Sequence, residues 1–350
     1  MIGAWSLPGP DAAVGRILTE LFRERVQVLH SPRDLAGLRS ALEARILKAA
    51  RSSIVIQNEA AGGFRAALCD QVGAQGTIPI AALANTAALQ GAVIVLSAEG
   101  ALDTDVCAFA RIARRLPDEQ GPCLTIVSRD GLARLDDVAT QEVRNVVGPL
   151  DGAAYAAWLP RFEPPLVGQL VASVAIEVAA WDLTLLDRLT ALPAPQACRP
   201  DQHLSAWVDG PVQAWIGMAL RWDLGCLDGW GGVDVAHPIW LAANAPSKLE
   251  KRVWRGQMAT LLPWIEDHRL LLIERYDKLL RAATGRQGDI VLLDWGPLVL
   301  EIRARDERQC KAAESFRIAR NELAHGRPLR WPLIQACIQA SPRLMGTAAL

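Results

Sequence analysis

Arg320, Asn321 and His325 stand together in "RIARNELAHGRP", residues 317–328. Their types suit work on a phosphate. A guanidinium can hold phosphate oxygens through paired hydrogen bonds and meet added transition-state charge. An imidazole titrates near neutrality and can give or take a proton. Asn321 lies four residues before His325, so a helix carries both on one face, where the amide can orient the ring or the phosphate. A helix C-terminus stabilises a cation, which suits a histidine that must donate a proton. The plainer reading of the same residues is a solvated helix face that ends in a capping histidine.

The element that must position them is a helix over "KAAESFRIARNELAHGRP", residues 311–328. On a 3.6-residue period Ala312, Phe316, Ala319 and Leu323 form a core stripe. Glu314, Arg317, Asn321 and His325 fall roughly opposite in one line. Arg320 lies at the edge of the apolar stripe, and its long stem lets it reach either way. Gly326 and Pro328 stop the helix. The polar groups therefore form a ridge that calls for a partner or a substrate.

"RNELAH" resembles the R-x4-6-H motif of HEPN domains, with the polar residue that typically follows the arginine present as Asn321. The resemblance covers about residues 250–345. Within it, residues 253–276 are similar to the long helix that packs on the motif helix, and "DWGPLVLEIRA", residues 294–304, to a connecting one. The resemblance implies a helical bundle and a metal-independent endoribonuclease, with Arg320, Asn321 and His325 as catalytic residues and RNA as substrate. The 2′-hydroxyl would attack the adjacent phosphate. Such domains usually pair, so a homodimer or a partner-protein complex is expected.

Upstream, short β-branched runs alternate with helical periods. Strands are expected at residues 52–57, 91–100 and 123–131, and helices at 64–74 and 103–116. Short buried strands separated by helices argue for a mostly parallel sheet. A helix over residues 31–50 would take Ser31 as its N-cap. Past Pro160 and the Pro164–Pro165 pair the strand signals fade, and helical periods dominate. The expected fold class is α/β followed by all-α: an α/β domain over 1–160, a helical connecting region over 161–248 and a helical domain over 249–350.

"SIVIQNEAAGGFRAAL" has the layout strand, glycine loop, helix, where P-loop proteins cradle phosphates with G-x-x-x-x-G-K-[ST]. Aligned on Gly63, Asn58 stands for the first glycine, Phe64 for the lysine and Arg65 for the hydroxyl. Phenylalanine cannot reach a β- or γ-phosphate. Ser97 occupies the place of a magnesium-binding carboxylate, with Glu99 nearby. "TIVSRDG" resembles the sensor strand of STAND-type signalling ATPases. "RNVVGPLDGAAYAAWL" resembles the element after that strand, and "SPRDLAGLRSALEARI" their entry helix. A degenerate STAND or AAA-like NTPase core is implied, without hydrolysis, beside the plainer reading of a parallel α/β domain with a chance glycine loop.

Combined, the two resemblances imply an effector of bacterial conflict systems, including defence against phage. The alternative is a non-enzymatic scaffold or adaptor in which both domains serve protein contact. A nucleotide-sensing switch without hydrolysis is a third reading.

Composition sets bounds on the rest. A net charge of −1 and 21% charged residues give no basic block for broad nucleic-acid binding. Seven scattered cysteines form no CxxC pair, which reads as reduced thiols in a cytoplasmic protein. No signal peptide is expected from "MIGAWSLPGPDAAVG". The apolar run at residues 166–186 contains Gln169, Glu177 and Asp182 and reads as a buried helix, not a membrane span. No cofactor or metal is expected: H-E-x-x-H is absent, and His268 with Glu266 reads as surface ion pairing. Asp103 reads as a helix cap. The tryptophans, concentrated between 200 and 300, read as core anchors or an interface belt.

Overall fold

A computed structural model describes residues 4–32, 35–49, 51–57, 63–117, 121–159, 162–207, 215–284, 290–303 and 306–345. The chain forms two compact units, Met1–Tyr155 with Ala219–His237, and Ala156–Met218 with Pro238–Leu350.

The first unit is an α/β fold. Its strands are β1 (Val26–His30), β2 (Ser53–Gln57), β3 (Val93–Ala98), β4 (Cys123–Ser128) and β5 (Thr140–Glu142), all parallel, in the order β2-β3-β4-β1-β5. The helices are α1 (Pro8–Glu24), α2 (Leu35–Lys48), α3 (Gly63–Val72), α4 (Ile80–Ala84), α5 (Thr104–Ala113) and α6 (Pro149–Ala156). A parallel sheet must be covered on both faces, and the strands read accordingly as near-continuous apolar runs. Ile94 and Leu96 pack on one side with Phe64, Leu68 and Phe109, while Val93 and Val95 pack on the other with Leu21, Leu38 and Leu42.

The three expected strands are present, and the sheet adds β1 and β5. β1 lies inside it although two of its five residues are polar. Gln27 is buried and donates from Nε2 to Thr125 Oγ1 at 3.1 Å. α2 is described from Leu35, and the cap expected at Ser31 bears on residues 33 and 34, which lie outside the described residues. The Ser31 backbone N–H donates to Ser128 O at 2.9 Å and extends the β1–β4 ladder. Asp103 is the N-cap of α5, accepting from Val106 N at 2.8 Å. Residues 58–62 of the glycine loop lie outside the described residues. α3 begins at Gly63, whose φ of +78° is in the left-handed region that glycine tolerates. Residues 219–237 carry a hairpin of β6 (Leu227–Trp230) and β7 (Val233–Ala236), turned by Gly231 and Gly232, both at positive φ as a two-residue hairpin turn requires.

The second unit is helical apart from its connections: α7 (Pro165–Ala179), α8 (Leu183–Thr190), α9 (Ala194–Ala197), α10 (Pro238–Asn244), α11 (Pro246–Arg275), α12 (Asp277–Thr284), α13 (Trp295–Arg303), α14 (Glu307–Ala324) and α15 (Trp331–Met345). α11, the longest, packs closely on α7. A Cβ at Gly256 would lie 2.6 Å from Val174 Cα, and Ser173 Oγ donates to Gly256 O at 2.9 Å. No side chain larger than hydrogen fits between the two backbones. Among the described residues no helix is long and apolar enough to cross a membrane.

His268 corrects the expectation of surface ion pairing. It is 2% exposed, stacked on Phe316 at 4.7 Å, with Nδ1 2.8 Å from Trp264 O and Nε2 2.8 Å from Ser341 Oγ. Burial pushes its pKa down, so the ring is held neutral and fully bonded in an aromatic core with Trp264 and Trp295. Glu266 does form an ion pair, with Arg269 at 2.6 Å.

Candidate functional site

α14 carries the motif, and its local sequence explains its limits. Asp306 caps its start, accepting from Gln309 N at 3.0 Å. Ala312, Phe316, Ala319 and Leu323 are buried along the expected stripe. At the far end His325 is the C-cap and Gly326 adopts φ +76°. Gly326 N donates to Leu323 O at 3.1 Å and Arg327 N to Glu322 O at 3.0 Å, the paired bonds of a Schellman stop. Leu323 O also accepts from Trp254 Nε1 at 2.7 Å. The last turn is thus fixed on two sides.

The three motif residues differ in setting. Arg320 is partly exposed, and its Nη2 lies 3.5 Å from Asp294 Oδ1, a loose contact with a half-exposed carboxylate. Asn321 is half-buried and His325 is exposed. Among the described residues no hydrogen bond joins the three side chains to one another. The helix brings Asn321 and His325 onto one face, a turn apart, and places Arg320 beside them. Further back on the ridge, Glu314 and Arg317 pair through two bonds, at 2.9 and 2.5 Å, and Arg317 holds the Glu314 carboxyl below its usual range. Ile318, 40% exposed, adds an apolar residue to the same outward side.

The chain after the motif is anchored by groups that the sequence did not single out. Gln257 is fully buried; its Nε2 donates to Cys198 O at 2.9 Å and Leu329 O at 3.1 Å, and its Oε1 accepts from Leu329 N at 2.5 Å. Arg199 grips Asp201 with two bonds, at 3.0 and 2.8 Å, and reaches Pro328 O at 3.4 Å. A lone buried glutamine within a helical period carries no signal of this in sequence. Beside the motif's end lies an open cleft of about 440 Å³, lined by Ser247, Glu250, Lys251, Trp254, Ala324 and Gly326. It offers a cation, Lys251, and an indole face next to the backbone on both sides of His325.

The arrangement can hold an anion and move a proton at one exposed helix end, from a rigidly held backbone. Compared with known proteins, the chain matches no family model, no curated protein and no solved structure.

Proposed function

We propose that the chain is a metal-independent endoribonuclease of the HEPN type, the cytoplasmic effector of an anti-phage defence system. The observation that supports this reading is the exposure of His325 at a C-cap whose backbone is fixed by the Schellman bonds and by Trp254. A proton-transfer group there is reachable by a large substrate and does not need to leave a core. Arg320 holds the scissile phosphate and the charge that builds on it. The 2′-oxygen forms a bond to phosphorus, the bond to the 5′-oxygen breaks, and His325 protonates that leaving oxygen. A second copy facing the first, or a partner subunit, supplies the base that takes the 2′-hydroxyl proton. RNA incubated with the assembled protein should yield 2′,3′-cyclic phosphate and 5′-hydroxyl ends, in EDTA as in its absence, because the histidine and arginine carry the proton and the charge. Intact RNA after incubation with every assembled form would move the chain to the scaffold class.

The first unit fits a regulatory, non-hydrolysing NTPase-like domain in this reading. Phe64, aligned with the phosphate-gripping lysine, is 4% exposed and packs on Phe109 with ring centroids 5.4 Å apart. Arg65, aligned with the magnesium-holding hydroxyl, lies 3.4 Å from Asp105. Phenylalanine has no donor for a phosphate, and Arg65 is paired with a carboxylate. Steady-state assays should detect no ATP or GTP turnover; turnover above background that Gly63→Asp abolished would refute this assignment.

A further inference from the structure

One wall of the cleft beside the end of α14 is a single face of α11. Ser247, Lys251 and Trp254 stand at i, i+4 and i+7 and line it together. The other wall is the end of α14, where Ala324 and Gly326 flank His325. The cleft holds about 440 Å³ and lies within the second unit.

Trp254 is a fixed platform in this cleft. Its Nε1 donates to Leu323 O at 2.7 Å, which ties the ring to the turn that leads into His325. The residue is only half-buried. Among the described residues no second aromatic ring and no cation lies against it, unlike Trp207 beneath Arg188 or Trp264 against Phe316. With its N–H already committed, the indole offers a face and no donor. A flat partner stacks on such a face, and an aromatic already held in place loses little freedom on binding.

Lys251 stands one turn away on the same face. It is exposed, and among the described residues its ammonium has neither an ion pair nor a hydrogen bond. Glu250, the acid of this wall, is turned to Arg199, whose Nη2 lies 3.3 Å from its carboxylate. An uncommitted cation beside a half-open indole matches single-stranded nucleic acid: charge for the phosphate, a face for the base. Direction follows from the ends of the cleft. In the ribonuclease reading His325 protonates the departing 5′-oxygen, which belongs to the nucleotide on the 3′ side of the break. Arg320, which holds the phosphate in that reading, stands one turn before Ala324 on the same line of α14. A strand laid from Arg320 past Ala324 enters the cleft with its 3′ nucleotide.

We propose that this cleft is a nucleotide subsite, in which the base 3′ of the scissile linkage stacks on Trp254 and a phosphate next to it meets Lys251. The inference rests on the ribonuclease reading for its direction and adds a binding site tolerant of base identity, because every base has a π-face. Binding is read by fluorescence anisotropy on the full chain carrying His325→Ala, with an adenylate RNA octamer and an abasic octamer of the same backbone as probes. Adding Trp254→Leu should weaken the adenylate octamer roughly tenfold, the effect of losing one stacked base, and leave the abasic octamer unchanged. Adding Lys251→Gln, at an exposed position, should reduce the slope of log affinity against log salt by about 0.7 for both probes. Direction is read from cleavage by the chain with His325 intact of an oligodeoxynucleotide with one ribonucleotide, whose single 2′-hydroxyl fixes the linkage that can break. An abasic residue on its 3′ side should lower kcat/KM roughly tenfold more than one on its 5′ side, and Trp254→Leu should remove that difference. Equal weakening of both octamers by Trp254→Leu, an unchanged salt slope in Lys251→Gln, or equal abasic effects on the two sides overturns the subsite and leaves the ribonuclease reading standing where the probe is cut. Binding coupled to Trp254 with no cleavage of either RNA or the mixed probe upholds the nucleotide site and overturns the nuclease reading instead. Failure of every assembled form to bind the adenylate octamer overturns the subsite.

Discussion

His325→Ala is expected to lower RNA cleavage by roughly 100- to 10,000-fold, the usual effect of losing one oriented acid. Stability should stay within about 0.5 kcal/mol of the parent, because the imidazole is exposed and side-chain changes at the surface usually cost little. The cap itself survives the substitution: its bonds run from the His325 backbone N–H to Asn321 O and Glu322 O, at 3.0 and 3.2 Å, and alanine keeps that N–H. Arg320→Ala should also abolish cleavage while the protein folds, since the guanidinium loses only a 3.5 Å contact with a half-exposed Asp294. Asn321→Ala is the finer measurement, with a partial loss expected of a group that orients and transfers no proton. Thermal melts beside end-labelled RNA assays separate these outcomes. Variants that keep full cleavage would remove the motif from the chemistry.

What the sequence made legible follows from how local each signal was. The stripe on α14 and its stop at Gly326 are set by residues within a few positions of one another, and both appear as the periodicity and the glycine required. The three strands read as apolar runs are there for the same reason. β1 escaped because Gln27 and His30 interrupt its apolar run, and what satisfies them, Thr125 and Arg129 O, lies about a hundred residues away. His268 misled in the same manner: flanked by Asp267 and Arg269, it reads as surface, yet its partner Ser341 and its stacking ring Phe316 come from two other helices. The hairpin at 227–236 did carry a local mark, Gly231–Gly232 between short strands, but its docking on Asn145 is a long-range fact. At the candidate site the three motif residues were legible as types and spacing. Gln257, Arg199 and Trp254, which fix the backbone around them, were not, because each bonds main-chain groups that only the fold brings near.

Gln257→Leu is expected to be the most damaging of these changes to stability. Leucine is close to glutamine in volume, so the packing of α11 is kept and the effect isolates the polar groups. Three backbone groups lose their partner: Cys198 O, Leu329 O and Leu329 N. Gln257 is fully buried, so water does not replace what is lost. Each buried group left unbonded costs about 1–3 kcal/mol, and three together place the loss at roughly 3–5 kcal/mol or more. Denaturant melts followed by helix signal should show the second unit's unfolding free energy falling by that amount. Gln257→Glu should not rescue it: a carboxylate still accepts from Leu329 N, but it can no longer donate and would face two carbonyl oxygens with a buried charge. The last turn of α14 is held separately, through Trp254 and the Schellman bonds, so RNA cleavage per folded molecule should change less than stability does. Cleavage lost in protein that is still fully folded would instead mean that the segment at Pro328 and Leu329 sets the position of His325 from the far side, with Gln257 as a positioning residue acting through it.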